Sequence, residues 1–352
     1  MHMSDALLSP AVGATFWTGT LGTIVYCSKK IRENYDEKVI PVMGVAGAFI
    51  FAAQMINFTI PGTGSSGHLG GGMILSILLG PYAGFLVMAS VLTIQALFFA
   101  DGGLLALGCN IWNLGIYPCF VAYPLIYKLM VQKEMTPKRI VAASMISAII
   151  ALQLGAFSVV LETLLSGRSE LPFATFMLLM QPIHLAIGMV EGFVTAGVIN
   201  YVRAARPGLL ENVVESRPLS PELKVRKIVV ALLVIAIITG GIVSWFASSN
   251  PDGLEWSIER VYGKPDLPEQ QTGIAAVLKT IQEKTAFFPD YTFKKKETPK
   301  EQKPRADGMN AWPNVEAGTS VSGILGSIMM VGLIFLIGFG IKAIKKGTRE
   351  AR

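Results

Sequence analysis

"HLGGGMILSILLGPYAGFLVMASVLTIQALFFA", residues 68–100, carries no Asp, Glu, Lys or Arg over 33 positions. That is too long for one membrane crossing, which takes roughly 20 apolar residues. The Gly80-Pro81 pair in "LLGPYAG" ends one helix and starts the next. The stretch therefore divides into a short helix, 69–79, and a full one, 82–99. A helix as short as the first persists at membrane depth only when buried in protein or lining a cavity. The division also decides the side on which every later loop emerges, and so the topology.

Working outward, the hydropathy pattern predicts further helices at 10–28, 39–58, 104–130, 139–165, 180–201, 228–246 and 321–344. With 68–100 divided and the amino terminus outside, segments 29–39, 128–139, 203–227 and 342–352 are cytoplasmic and hold four, four, six and five basic residues. The short outer loops hold only Arg168. This is the asymmetry expected of cytoplasmic loops. An undivided 68–100 would invert it.

The expectation is an all-α integral membrane protein: a seven-helix unit over 1–205, a cytoplasmic linker over 206–224, and a two-helix unit over 225–352 with an extracellular segment over 248–319. Both the outer amino terminus and the cytoplasmic carboxyl terminus follow from the charge count. Within the outer segment, "KKKETPKEQKPRADG" (294–308) reads as a solvated linker, and "PDGLEWSIERVYG" (251–263) as a cover over the mouth of the first unit.

Composition agrees. Of 352 residues, 52% are hydrophobic and 15% charged, where soluble domains carry about a quarter. The net charge of +6 reflects Lys and Arg retained in cytoplasmic loops, so nucleic acid is not an expected partner. Cys27, Cys109 and Cys119 lie in apolar runs, without disulfide or CxxC spacing. No basic segment precedes the first apolar run and no small-residue cleavage site follows it, so the amino terminus is expected to stay. No Walker motif, HExxH or Ser/His/Asp pattern is present. Energy for any uphill transport must come from another protein, and no cofactor is expected.

The chain has three His: His2, His68 and His184. All fall toward the outer face in this topology. His2 is the sharpest signal. A free terminal amine, the amide nitrogen of residue 2 and its imidazole close a five-membered and a six-membered ring around one ion. Ni(II), Cu(II) and less readily Co(II) displace the amide proton, and planar nitrogen coordination suits Ni(II) or Cu(II). Met1 must remain, and a bulky second residue favours that. One position of the square stays open for His68. It sits in "GTGSSGHLGGG", six Gly in eleven residues, which lets backbone approach a ligand closely. His184 and Glu191, seven residues apart on one helix face, are candidates to orient the ligands. Asp5 is a candidate to orient the amine or to cap helix one. Asn110, Asn113, Gln54, Gln95 and Gln153 read as hydrogen-bonding groups between helices. A competing reading is a membrane zinc hydrolase, with His2, His68 and His184 in a tetrahedral site.

"MHMSDALLSP", "GTGSSGHLGGGMILSILLGPYAGFLVM", "QALFFADGGLLALGCNIWNLGI" and "HLAIGMVEG" occur in that order. They resemble the substrate-capture subunit of nickel/cobalt energy-coupling factor transporters, the CbiM/NikM family. "SNPDGLEWSIERVYGK" resembles the accessory CbiN/NikN unit, here fused as in NikMN chains. The resemblance implies a seven-helix substrate-binding component in the cytoplasmic membrane and Ni(II) or Co(II) as cargo. It also implies a transmembrane coupling partner (CbiQ/NikQ-like) and an ATPase partner (CbiO/NikO-like). Its ligand set carries over to Met1, His2 and His68. "MHMSDA" departs from the family's "MHIPDG" without touching a ligand.

Overall fold

The computed structural model describes residues 2–33, 36–215, 225–268, 272–294 and 313–350. Met1, part of the predicted linker (216–224) and most of the "KKKETPKEQKPRADG" segment lie outside the described residues.

The first unit opens with a short turn, Asp5–Leu7, and then α1 (Pro10–Glu33), α2 (Val39–Gln54) and a two-stranded hairpin, β1 (Phe58–Ile60) with β2 (Ser65–Gly67). The strands are antiparallel, pairing Phe58 with Gly67 and Ile60 with Ser65. Next come α3 (Gly72–Leu79) and α4 (Pro81–Phe99). Gly80 breaks between them at φ 79°, and Pro81 takes the first position of α4, where its missing N–H costs nothing. α3 begins at Gly72 rather than residue 69, because Gly71 is left-handed (φ 78°) and the residues before it belong to the loop carrying His68. Almost all of α3 is buried, as a short segment at membrane depth requires.

A single 25-residue helix follows, Leu107–Val131. It runs as α5 (Leu107–Ile111), a wider π-wound stretch (Trp112–Tyr127) that takes in Pro118 and Pro124, and α6 (Lys128–Val131). α7 (Pro137–Leu165) starts at Thr136, whose side chain accepts from Arg139 N. α8 (Phe173–Ala205) starts seven residues before the predicted 180 and keeps Pro182 inside. α9 (Pro207–Val214) buries Leu209, Leu210 and Val214 against α8 and α3.

The second unit comprises α10 (Arg226–Gly241), α11 (Gly253–Tyr262), α12 (Gly273–Thr285) and α13 (Ala317–Glu350). α11 and α12 fall in the stretch whose polar composition hid them. α10 and α13 pack on α2 and on each other, which explains why α2 is buried on nearly every face. Where α10 crosses α13 the backbones touch. A side chain on Gly240 would meet Gly323 Cα at 3.0 Å, the small-residue crossing favoured between membrane helices.

Among the described residues five helices are long and apolar enough to cross a membrane: Pro81–Phe99, Leu107–Val131, Pro137–Leu165, Phe173–Ala205 and Ala317–Lys345. Leu178, Leu185, Met189 and Phe193 of α8 are exposed, as suits a lipid-facing surface. The chain is a multi-pass membrane protein.

Candidate metal centre

Three sequence-distant segments meet at one end of the bundle. The first is the amino-terminal segment, pinned just behind His2. Met3 N donates to Asn110 Oδ1 at 2.9 Å, and Met3 O accepts from Asn110 Nδ2 at 3.2 Å and Gly103 N at 2.9 Å. The second is the loop between β2 and α3. Gly70 N and Gly71 N donate to the Glu191 carboxylate at 2.8 and 3.1 Å, and Gln54 Nε2 donates to Gly70 O at 2.8 Å. A side chain on Gly70 would strike Glu191 Oε2, so only glycine lets the backbone approach this closely. The third is the "PDGLE" turn of the second unit, which starts α11.

These segments bring His2 and His68 face to face. The ring centroids are 4.9 Å apart and the planes differ by 8°. His68 Nδ1 lies 3.0 Å from Leu69 O. A carbonyl only accepts, so Nδ1 carries the proton and Nε2 presents its lone pair, as an oriented ligand imidazole does. His184 is held likewise, with Nδ1 2.8 Å from Met180 O. His68, His184 and Asp252 line one cavity of about 10 Å³, with Gly67, Gly70 and Gly253 in its walls. That is room for about one water.

Two carboxylates flank the imidazole pair. Asp101 Oδ1 is 3.2 Å from His2 Nδ1, and Asp252 Oδ2 is 4.0 Å from His68 Nε2. Burial pushes the His2 and His68 imidazoles down to about 3. Both rings are therefore neutral near pH 7, and Asp101 faces an uncharged His2 ring. Burial raises the Asp101 carboxyl from its usual range. Burial also works to raise Asp252, but neighbouring positive charge and the Glu255 N–H outweigh it and hold that carboxyl at about 2. Among the described residues, His2 Nε2 is buried without a hydrogen-bond partner. Neutral imidazoles with carboxylates beside them suit a divalent transition-metal ion.

The second unit builds both flanks. Asp252 Oδ1 accepts from Leu254 N and Glu255 N, each at 2.8 Å, while Glu255 Oε2 accepts from Asp252 N at 3.1 Å. This capping box fixes the start of α11. Ser66 N donates to Pro251 O at 2.8 Å and Trp256 Nε1 to Thr63 O at 3.0 Å, which ties the turn to the hairpin. On the Asp101 side, Tyr291 Oη donates to Asp101 Oδ2 at 2.5 Å. Gln282 Nε2 donates to Ala96 O and Gly102 O at 2.8 and 2.7 Å, and Thr285 Oγ1 to Leu97 O at 2.7 Å. These donors satisfy carbonyls that the end of α4 would otherwise leave bare.

Of the residues singled out from sequence, His2, His68 and His184 are gathered at one place, and Glu191 grips the loop that carries His68. Met1 lies outside the described residues. Asp5 does not cap α1, which starts five residues later; Asp5 Oδ1 accepts from Ala106 N at 2.9 Å, bracing the loop before α5, and its expected contact with the amine lies outside the described residues. Asp101, Asp252 and Tyr291 were missed. Asp101 precedes two glycines and reads as a turn. Asp252 carried a usable signal, the D-x-x-E spacing of a capping box.

Residues 2–209 match the family described as cobalt uptake substrate-specific transmembrane region, CbiM, and residues 226–343 match the PDGLE domain. A chain of Haloquadratum walsbyi is 38% identical over 224 residues, covering 64% of this chain and all of that one. The fused nickel transport protein NikMN of Rhodobacter capsulatus is 28% identical over 239 residues, covering 64% of this chain and 68% of that one. A crystal structure of a truncated transition metal transporter superposes with a TM-score of 0.52 at 29% identity, over 58% of this chain and 99% of that one. Over more than half its length, and with a PDGLE domain fused behind, this chain belongs to the CbiM family.

Proposed function

We propose that the chain is the metal-capture subunit of a nickel uptake system, with Co(II) as the second-choice cargo, and that it takes the ion from the outer side of the cytoplasmic membrane. It is a transport subunit and not an enzyme. The observation that carries the reading is the His2/His68 pair, two neutral imidazoles 66 residues apart in sequence with ring centroids held 4.9 Å apart. In the proposed site the Met1 amine, the His2 amide nitrogen, His2 Nδ1 and His68 Nε2 form a square. Closing the six-membered ring needs His2 Nδ1, the nitrogen now beside Asp101. Loading therefore exchanges a carboxylate for the ion at that atom, and Asp101 keeps its Tyr291 hydroxyl.

The proposed topology has seven crossings in the first unit, α3 counted as one, and two in the second, with the amino terminus outside. The absence of a nucleotide-binding motif from the sequence supports separate partners, a transmembrane coupling subunit and an ATPase on the cytoplasmic side. Handing the ion inward is driven by those partners.

His68→Ala removes one corner of the square. The expected result in equilibrium dialysis is a loss of nickel affinity of at least about 100-fold (~2.7 kcal/mol). The nickel-loaded native chain is expected to be yellow and diamagnetic. A paramagnetic, tetrahedral spectrum would instead favour the zinc-hydrolase geometry. Undiminished nickel binding by the His68 variant would refute the site.

Affinity is expected to fall in acid, and the slope identifies the donors. With both imidazoles already neutral near pH 7, the protons released are those of the amide and the amine. A free α-amine titrates near 7.7–8.0. The log of the dissociation constant should therefore change by about one per pH unit above pH 8.5 and by about two below pH 7. A slope of zero across pH 6–9 is the outcome incompatible with amide coordination.

A further inference from the structure

We propose that Asp252, delivered by the second unit, is the first protein ligand met by the incoming hydrated divalent cation, which it then passes to His68. This rests on the nickel-capture reading above and adds a step before the final site.

The geometry gives Asp252 two separate tasks for two oxygens. Oδ1 accepts both helix-start N–H groups of α11, while Oδ2 faces His68 Nε2 across 4.0 Å. That spacing is about what two donors need on opposite sides of one ion with metal–ligand bonds near 2.0–2.2 Å. The Asp252 side chain is 17% exposed and that of His68 is 8%, so an ion arriving from outside reaches the carboxylate first. The cavity behind them, walled by His68, His184 and Asp252, has space for about one water of the ion's shell. His184 faces it with Nδ1 already committed to Met180 O, which leaves its other ring nitrogen to accept from such a water.

Gly253 makes the approach possible. A side chain there would meet Ile183 Cγ2 at 2.5 Å and His184 Cε1 at 3.4 Å, pushing the turn off α8 and Asp252 away from His68. Order of binding follows from chemistry. A carboxylate attracts a hydrated dication at long range and substitutes one water without giving up a proton. The chelate must displace an amide proton before it closes, so capture by oxygen precedes transfer to nitrogen.

The test is stopped-flow nickel association with the full chain in detergent, native against Asp252→Asn and Asp252→Ser. Both replacements keep an N-cap acceptor, so α11 keeps its start. The expected result is association slowed about tenfold or more at low salt, with the final stoichiometry unchanged. Glu259→Gln removes one carboxylate from the exposed face of the same helix and is expected to stay within twofold of native. Native-like association in both Asp252 variants, or equal slowing in Glu259→Gln, would overturn the assignment while leaving nickel capture standing. A native chain that binds no nickel would instead remove the functional reading and this step together.

Discussion

Two residues added ahead of Met1 abolish high-affinity nickel binding, with an expected loss of at least about 1,000-fold (~4 kcal/mol). The reason begins at Met3. It is wholly buried and held through both its N–H and its carbonyl by Asn110 and Gly103. His2, next to that anchor, is thereby held with its imidazole against His68. The extension moves the charged amine two residues off and replaces it with an amide inside the chelate. A one-residue extension is a less clean test. It places His third and creates an amine–amide–amide–imidazole square that needs no partner, so nickel would bind without His68. Measuring binding for both lengths, each in native and His68→Ala backgrounds, separates the cases. Unchanged affinity in the two-residue form, with the extension verified by mass spectrometry, would contradict the terminal chelate.

Glu191→Gln is the second large effect. The carboxylate gives one oxygen to Gly70 N and the other to Gly71 N, deep in α8, where no bulk water can substitute. Gln offers one oxygen and turns an NH₂ toward the second N–H. One buried donor loses its partner, at a cost of about 1–3 kcal/mol. The loop that carries His68 is then loosely aimed, and nickel affinity is expected to fall about 10–100-fold, the range for residues that orient ligands. A thermal melt in detergent adds a second readout. Nickel should raise the midpoint of the native chain by mass action and raise that of the variant by much less. An equal nickel-induced shift in both proteins would show that Glu191 serves stability alone.

The long apolar helices were legible because a bilayer imposes one length and one solvent on them. Break points were legible where chemistry forces them, as at Gly80-Pro81. The errors have physical sources. α3 starts three residues late because Gly71 turns left-handed to serve the site. α8 starts early because Phe173–Leu179 is apolar but interrupted by nothing that stops a helix. α9, α11 and α12 are amphipathic and short, and tertiary contact rather than composition secures them. At the site, His2 and His68 stood out because imidazole is scarce in this chain and the position next to a terminus has its own chemistry. Glu191 was visible as a carboxylate at membrane depth. Asp101 was hidden because Asp before Gly is the commonest form of a turn, and its partner Tyr291 lies 190 residues away.

Beyond the packing of α10 and α13 on α2, the second unit's hydrogen bonds to the first go largely to main chain: the carbonyls of Ala96, Leu97, Gly102, Asn57 and Thr63, and the amide of Ser66. Every amino acid except proline presents both of those groups, and proline still presents the carbonyl. Evolution can thus rewrite most side chains along this seam without erasing the handholds, so long as the local path of the polypeptide is kept. Partners joined in this way drift apart in spelling while still recognising one another's shape.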